Sequence, residues 1–310
     1  MLERLDMLVI GECVADIVRL PGAPDQVHPG GSPANVAYGL ARLGHSATLL
    51  TQLGPDAEGQ LIKEHLAAAG LEVRTDGATA PTPSAAVTLD GGGRAAYTFE
   101  ITWTLASVTL DRPPHHVHTG SIASVMEPGA ATVLAAVESL RTSATVSYDP
   151  NVRAELMGDH DAAVRKVERC VALSDVVKAS DEDLEWLYPD REPREVAERW
   201  LATGPAVVLV TRGGDGALAV LPGGQVTVDA LPTDVVDTVG AGDAFMSGTL
   251  HALASHGLLG ADGRDRLRSL DRATVTDVLR HAAASAAVTV ARAGANPPDE
   301  AELKEALARD

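Results

Sequence analysis

The stretch Asp237 to Phe245 reads DTVGAGDAF and combines a glycine-rich turn with a carboxylate. Gly240 and Gly242 permit backbone conformations that are closed to residues with a Cβ atom, so that successive N–H groups around Ala241 can point at one place. The apolar run Ala244 to His256 follows with a helical pattern, and the dipole of that helix adds positive potential at its start. Gly240, Ala241 and Gly242 are therefore predicted to form an anion hole.

Asp243 is a carboxylate within a turn that is otherwise suited to anions. A general base that removes a proton from an attacking hydroxyl would explain it, with the amides holding charge that develops on a transferred phosphoryl group. The alternative is an ordinary loop in which an aspartate caps a helix, and the four residues GAGD alone are compatible with both.

A second glycine turn lies about 200 residues earlier, in the segment 30–44, which reads GGSPANVAYGLARLG. The diglycine opens a run with helical periodicity, and Gly44 is predicted to end that helix. Asn35 falls in the first turn, where its amide offers donors and an acceptor to a molecule above the glycines. Taken alone, this segment is compatible with a capped core helix.

Together the two segments resemble both signature regions of the ribokinase-like (PfkB) family of sugar and nucleoside kinases, and the resemblance extends over nearly the whole chain. It implies an α/β fold with a mostly parallel central sheet, helices on both faces and a small β-sheet lid over the sugar. The expected organisation is one kinase domain over 1–310, with the lid formed by about 14–30 and 72–105.

The order of strand-like and helix-like runs independently predicts a parallel sheet with helices on both faces. Buried strands are predicted at Met7 to Cys13, Thr48 to Leu53, Thr145 to Tyr148, Val176 to Lys178 and Ala206 to Thr211. Amphipathic helices are predicted between them at Ala57 to Ala69, Gly129 to Leu140, Asp161 to Leu173 and Arg194 to Thr203.

Two further runs, Ser84 to Leu89 and Ala95 to Glu100, flank the glycines Gly91 to Gly93 and predict an antiparallel hairpin. A short run at Asp16 to Leu20 is a further candidate strand. Because an isolated hairpin is barely stable in water, it must pack on something, which agrees with a lid. A surface hairpin without a function is the alternative.

Composition is that of a soluble enzyme with a core of small side chains: of 310 residues, 45% are apolar and 3% aromatic. The net charge of −18 disfavours nucleic acids and anionic membranes as partners. The two cysteines, Cys13 and Cys170, are far apart, which disfavours a disulfide framework. With no signal peptide or membrane span in the pattern, we predict a cytoplasmic protein.

The resemblance assigns the sugar site to Asp16, Gly30, Gly31 and Asn35. A carboxylate suits a polyol because it accepts several charge-assisted hydrogen bonds. Arg153, in the segment DPNVR that follows a strand, is a candidate for binding substrate or phosphoryl oxygens with its planar guanidinium. An ordinary strand-to-helix turn is the alternative for this segment.

The resemblance assigns nucleotide binding to five further residues, which are Lys178, Thr211, Gly213, Gly216 and Asn296. Asp183 is a candidate outer-sphere ligand of magnesium, although Ser180 and Asp183 stand where many family members have asparagine and glutamate. An acidic cluster at a helix start is the alternative for Asp183. A plain hairpin turn is the alternative at Thr211 to Gly216.

The implied activity is transfer of the ATP γ-phosphate to a primary hydroxyl of a small sugar, with Mg²⁺ as cofactor and K⁺ left open. Fructose is the expected acceptor; 2-keto-3-deoxygluconate kinase, another sugar or nucleoside kinase, and a sugar or nucleotide sensor are alternatives. A homodimer through the lid is a further expectation. His115, His116 and His118 lack a partner motif for a metal and are interpreted as strand-end residues.

Overall fold

A computed structural model describes residues 5–19, 24–75, 79–89, 95–106, 110 and 112–309. Within these residues, nine strands form the larger sheet, in the order β13-β12-β11-β10-β9-β8-β1-β4-β5. The seven strands from β11 to β5 run parallel, and β12 and β13 are antiparallel at one edge. The strands are β1 (Asp6–Ile10), β4 (Ser46–Thr51), β5 (Glu72–Thr75), β8 (His116–Gly120), β9 (Thr145–Asp149), β10 (Val176–Ser180), β11 (Val207–Thr211), β12 (Ala217–Leu221) and β13 (Gly224–Val228).

Helices cover both faces of this sheet, as the alternating pattern predicts. One core contains apolar side chains of α1, α2, α7 and α9, and two others contain those of α3, α4, α5 and α6. The helices are α1 (Ser32–Arg42), α2 (Ala57–Ala68), α3 (Gly129–Leu140), α4 (His160–Leu173), α5 (Asp181–Leu187), α6 (Pro193–Leu201), α7 (Ala241–Ser255), α8 (Arg264–Leu267), α9 (Arg272–Val290) and α10 (Glu300–Arg309). The α/β class is confirmed.

A second sheet of four strands has the order β3-β2-β6-β7. Its strands are β2 (Val14–Arg19), β3 (Gln26–Gly30), β6 (Ser84–Leu89) and β7 (Ala95–Glu100). The hairpin strands β6 and β7 have the predicted bounds and are antiparallel. The predicted turn Gly91 to Gly93, with Arg94 and Leu20, lies outside the described residues. β2 starts four residues after β1 ends, so the small sheet follows directly from strand β1 of the larger sheet.

His116 is at the end of a strand, as predicted, because it is the first residue of β8, whereas His118 lies in the middle of this fully buried strand. Hydroxyls of β9 pair with both rings. His116 contacts Thr145 Oγ1 at 2.9 Å and Ser147 Oγ at 2.8 Å, and His118 Nδ1 contacts Ser147 Oγ at 2.8 Å, while the buried His118 Nε2 has no hydrogen-bond partner among the described residues. Burial lowers the pKa of both imidazoles to about 3, so they are neutral at physiological pH. Strand β8 is buried but contains polar residues that pair across the sheet, so its sequence lacks the apolar run that indicates a buried strand.

Helix α7 begins at Ala241, three residues before the predicted start at Ala244. Gly240 precedes it in the left-handed conformation with φ of 76°, which a residue with a Cβ adopts only with strain. The amides of Ala241 and Gly242 therefore belong to the first helical turn, where backbone N–H groups have no partner within the helix. That of Ala241 donates to the Thr238 carbonyl, outside the helix, at 3.2 Å.

Candidate active site

The carboxylate of Asp243 lies between the first turns of two helices, with 8% of the residue exposed. Its Oδ1 accepts a hydrogen bond of 2.6 Å from Ser32 Oγ, and its Oδ2 accepts one of 2.8 Å from Asn35 Nδ2. Both donors belong to α1, more than 200 residues away in sequence. The alternative that Asp243 is a helix cap is not supported, because no side-chain cap hydrogen bond is made by the N-cap of α7 and the carboxylate is bound to α1.

Small residues allow α1 and α7 to come close enough for these bonds. A Cβ atom on Gly39 of α1 would lie 2.4 Å from Ser247 Oγ of α7. On the other side of α7, a Cβ on Gly248 would lie 2.8 Å from Ser285 Cβ of α9. Because contacts under 3 Å require something to shift, glycine at these positions sets the spacing of the helices.

Lys178 lies directly below the predicted anion hole: a Cβ atom on Gly242 would be 2.8 Å from its Nζ. The same ammonium is 2.8 Å from Asp149 Oδ2, and the two side chains are 4% and 0% exposed. Burial lowers the pKa of Lys178, but the charges of Asp149, Asp183 and Asp243 outweigh it, and the net pKa is raised. The site therefore contains a buried, protonated cation.

The turn before α7 is joined to the loop before α10 by Asp237, to which we assigned no role from sequence. Its Oδ1 accepts a 3.0 Å bond from the Val239 amide, and its Oδ2 accepts a 2.8 Å bond from the Gly294 amide. In addition, Ala295 Cβ would be 2.6 Å from a Cβ on Gly240. Asn296, one of the five predicted nucleotide residues, follows Ala295 in this loop and is exposed.

Asp183 is held by backbone amides. Its Oδ1 accepts a 2.7 Å bond from the Val152 amide and its Oδ2 a 2.8 Å bond from the Ser180 amide, while Ser180 Oγ accepts from the Asp183 amide at 3.0 Å. These last two bonds form a capping box at the start of α5. Its role as an outer-sphere magnesium ligand stays a prediction. In the part of the chain that the structure describes, no group of three or more His, Cys, Asp or Glu residues could hold a metal ion.

Asp16 is the third residue of β2 and lies over Gly30 of the neighbouring β3, where a Cβ atom would be 2.1 Å from its Oδ2. Gly31 follows with φ of 100°, and a Cβ there would lie 2.5 Å from the Glu12 carbonyl oxygen. Burial raises the pKa of Asp16 to about 6, against the opposing charges of Arg153 and His28. The predicted sugar residues are thus brought together beside the start of α1.

Arg153 is exposed and is held by its own loop. Its Nη1 donates to Asn151 Oδ1 at 2.7 Å and to the Val152 carbonyl at 2.9 Å. Asn151 has φ of 34°, in the left-handed region that non-glycine residues occupy rarely. The Arg153 charge lowers the pKa of both Asp16 and Glu12 against the larger effect of burial, so the guanidinium faces the side of the molecule that contains these two carboxyls.

The predicted nucleotide turn joins the antiparallel strands β11 and β12. Thr211 ends β11, and Gly213 and Gly216 have φ of 51° and 79°. A Cβ on Gly216 would be 2.1 Å from the Val228 carbonyl oxygen, so glycine is needed for this hairpin. The turn is at the carboxyl end of β11, the same sheet edge as Asp149 and Ser180 at the ends of β9 and β10.

Glu12 is a buried acid that the sequence analysis missed, with 2% of the residue exposed. Its Oε2 accepts a 3.1 Å hydrogen bond from the Ala123 amide, and the Ser121 hydroxyl also donates to it. Burial raises the pKa of this carboxyl from its ordinary 4.5 to about 7. An acid between the apolar strand β1 and the apolar start of β2 was the signal in the sequence that could have identified it.

We expect Glu12→Gln to raise the free energy of unfolding at pH 8 by about 1 to 3 kcal/mol and to leave it unchanged below pH 4. Between pH 4.5 and 7, the folded parent keeps a proton that the unfolded chain has lost, so its stability falls as pH rises through that window. Urea unfolding at several pH values measures this. Glu195→Gln, at an exposed position of α6, is the control, and parallel pH curves for parent and Glu12→Gln would contradict the prediction.

The family model for pfkB family carbohydrate kinases matches residues 5–302. The chain belongs to this family. A fructokinase of Klebsiella pneumoniae is 36% identical over 263 residues, covering 81% of this chain and 85% of that protein. In this pfkB family member, no described helix has the length and apolarity needed to cross a membrane.

Solved structures of fructokinases have the same fold as this pfkB family chain. A Vibrio cholerae O395 fructokinase double mutant in a fructose, ADP and potassium ion bound form superposes with a TM-score of 0.83, 27% identity and 99% coverage of both chains. The Xylella fastidiosa fructokinase with bound ATP superposes with a TM-score of 0.84, 26% identity and 98% coverage of both chains.

Proposed function

We propose that this protein transfers the γ-phosphate of ATP to a primary hydroxyl of fructose. The observation that carries the proposal is the buried Asp243 carboxylate, held by α1 at the positive end of α7 and above Lys178. A sensor that only binds a sugar has no need of a base between an acceptor hydroxyl and a nucleotide. The similarity to fructokinases supports fructose as the acceptor.

In the proposed reaction, the acceptor hydroxyl oxygen forms a bond to the γ-phosphorus while the bond from that phosphorus to the β–γ bridging oxygen breaks and ADP leaves. Asp243 takes the hydroxyl proton. An ionised carboxylate has about four lone-pair positions, so the bonds from Ser32 and Asn35 leave room for that hydroxyl. The amide of Gly242, with the Lys178 ammonium, stabilises charge on the phosphoryl oxygens, and the amide of Ala241 joins it by exchanging its 3.2 Å bond to the Thr238 carbonyl for one to phosphate.

For the sugar, we propose hydrogen bonds from its hydroxyls to Asp16 and contacts with Gly30, Gly31 and Asn35. Asn35 has a second role in this arrangement, since one of its amide hydrogens is bound to Asp243. Arg153 is proposed to face substrate oxygens from its exposed position. Nucleotide binding is proposed for Lys178, Thr211, Gly213, Gly216 and Asn296.

Magnesium is proposed to enter with ATP, held mainly by phosphate oxygens and water, because Mg²⁺ keeps several waters and rarely has an all-protein cage. Asp183 would be an outer-sphere ligand there. Potassium is proposed at the carbonyls near residues 234–236, with support from the potassium ion in the Vibrio cholerae fructokinase. We further propose a cytoplasmic location, partners limited to sugar and nucleotide, and a homodimer through the small sheet, in which β3 and β7 are edge strands.

The test is ADP production with ATP and magnesium against a panel of ketoses, aldoses, ketodeoxy acids and nucleosides. We expect the highest kcat/KM with fructose. A higher value for 2-keto-3-deoxygluconate would replace fructose and indicate Arg153 as a clamp for the carboxylate. Equal background rates with every acceptor, together with measurable sugar binding, would favour a sensor.

Asp16→Ala is expected to weaken fructose binding by about 1 to 3 kcal/mol and to leave ATP affinity nearly unchanged. Fructose affinity falls because the sugar hydroxyls lose a charged hydrogen-bond acceptor inside a half-buried site. Calorimetric titration with each ligand measures both affinities. Glu100→Ala, at an exposed carboxylate of β7 in the same sheet, is the control. Equal weakening of ATP would indicate damage to the fold instead.

A further inference from the structure

Ser32 is a buried residue of the site to which neither the sequence pattern nor the proposed function assigns a role. It is the first residue of α1, is 7% exposed, and donates its hydroxyl hydrogen to Asp243 Oδ1 at 2.6 Å. Of the two bonds from α1 to Asp243, this one is the shorter.

The position of this serine differs from that of a serine that caps its own helix. Capping hydroxyls are favoured at the residue before the helix, where they accept from the helix amides. Here that residue is Gly31, whose φ of 100° and contact with the Glu12 backbone exclude a side chain, and α1 has no side-chain cap. The hydroxyl lies one residue later and donates across the interface to α7.

We propose that Ser32 is a positioning residue for the general base Asp243, an inference that rests on the proposed kinase function. The terminal torsion of an aspartate is soft and roughly two-fold, so a carboxylate bound through one oxygen can still rotate. Asn35 holds Oδ2 and Ser32 holds Oδ1, and the two bonds together fix the carboxylate plane. Ser32 acts through Asp243 and not on the substrate.

We therefore expect Ser32→Ala to lower kcat by about 10- to 100-fold, the range for loss of one charge-assisted hydrogen bond, with KM for fructose and ATP nearly unchanged. Ser32→Thr keeps the hydroxyl and is expected to restore most of kcat. Ser247→Ala is the matched control. That serine is also buried in the α1–α7 interface, but it donates to the Ala244 carbonyl within α7.

A double-mutant cycle separates positioning from a structural role. If Ser32 acts through the base, Ser32→Ala has almost no further effect on kcat in an Asp243→Asn background, because residues that act as a unit are not additive. If Ser32 only supported the folded structure, Ser32→Ala would lower kcat by the same factor in both backgrounds. Thermal unfolding of all the variants shows whether each is folded at the assay temperature.

Each outcome bears on the proposal. A fall in kcat with Ser32→Ala, rescue by Ser32→Thr and no further loss beside Asp243→Asn support it. Three results with an active parent would overturn it and leave the kinase function intact. These are an unchanged kcat in Ser32→Ala, losses of kcat that multiply in the double-mutant cycle, and an equal fall of kcat in Ser247→Ala. A parent that phosphorylates no acceptor would overturn the proposed function itself, and the role of Ser32 with it.

Discussion

Asp243→Asn is expected to lower kcat by about 10² to 10⁴, the range for loss of a general base. The substituted side chain has the same size, but its amide nitrogen cannot accept the proton of the attacking hydroxyl. Ser32 and Asn35 donate to the two carboxylate oxygens, so in the variant the NH2 group of the new amide faces one of these two donors. The loss appears in kcat because the carboxylate acts mainly as the proton moves.

Steady-state kinetics with fructose and ATP measure kcat, and calorimetry measures the two affinities separately. We expect both ligands to bind nearly as tightly as to the parent. Asp161→Asn, at an exposed carboxylate in the first turn of α4, is the control for a charge lost near a helix start. Full retention of kcat in Asp243→Asn would remove Asp243 from the mechanism.

Lys178→Met is expected to lower the free energy of unfolding by about 3 to 5 kcal/mol at neutral pH. Methionine fills a similar volume but leaves Asp149, which is 0% exposed and 2.8 Å from the ammonium, without its counter-charge. Burial raises the pKa of Asp149 to about 7 even beside the ammonium, and the charges of Asp183 and Asp243 raise it too, so without Lys178 the folded variant has to take up a proton on Asp149. Urea unfolding followed by circular dichroism measures the change.

The control for Lys178→Met is Arg199→Met. Arg199 is 2.7 Å from Glu168, but this pair is 49% and 34% exposed and is expected to contribute less than about 1 kcal/mol. Adding Asp149→Asn to Lys178→Met should recover part of the lost stability, because the buried charge is then removed. A Lys178→Met variant as stable as Arg199→Met would show that the buried pair contributes nothing.

Several elements could be predicted because their signals are local. Strands β6 and β7 match their predicted bounds, since each is a short β-prone run next to a glycine cluster. The turn at Gly240 and the end of α1 at Gly44 were predicted because glycine permits φ of 76° and 87° there. The parallel sheet was predicted from the alternation of apolar runs.

Other elements could not be predicted, because distant residues determine them. Strand β8 contains the buried residues His116 and His118, whose rings are hydrogen-bonded to hydroxyls of β9. Asp183 stays a candidate outer-sphere ligand of magnesium, and only the structure shows that both of its oxygens also accept hydrogen bonds from backbone amides. The hydrogen-bond partners of these polar side chains lie 29 or more residues away or belong to a helix cap, and composition reveals neither.

The sequence by itself determined the α/β class, the family resemblance and the identity of Asp243 as the candidate base. These three conclusions depend on the backbone conformations that glycine allows and on apolar periodicity, and both are properties of residues close together in the chain. Only the tertiary structure showed that Ser32 holds this base, that Lys178 lies under Gly242, and that Glu12 is buried. Such contacts join helices and strands that are far apart in the chain, so their strength is decided by burial and distance after the elements have packed.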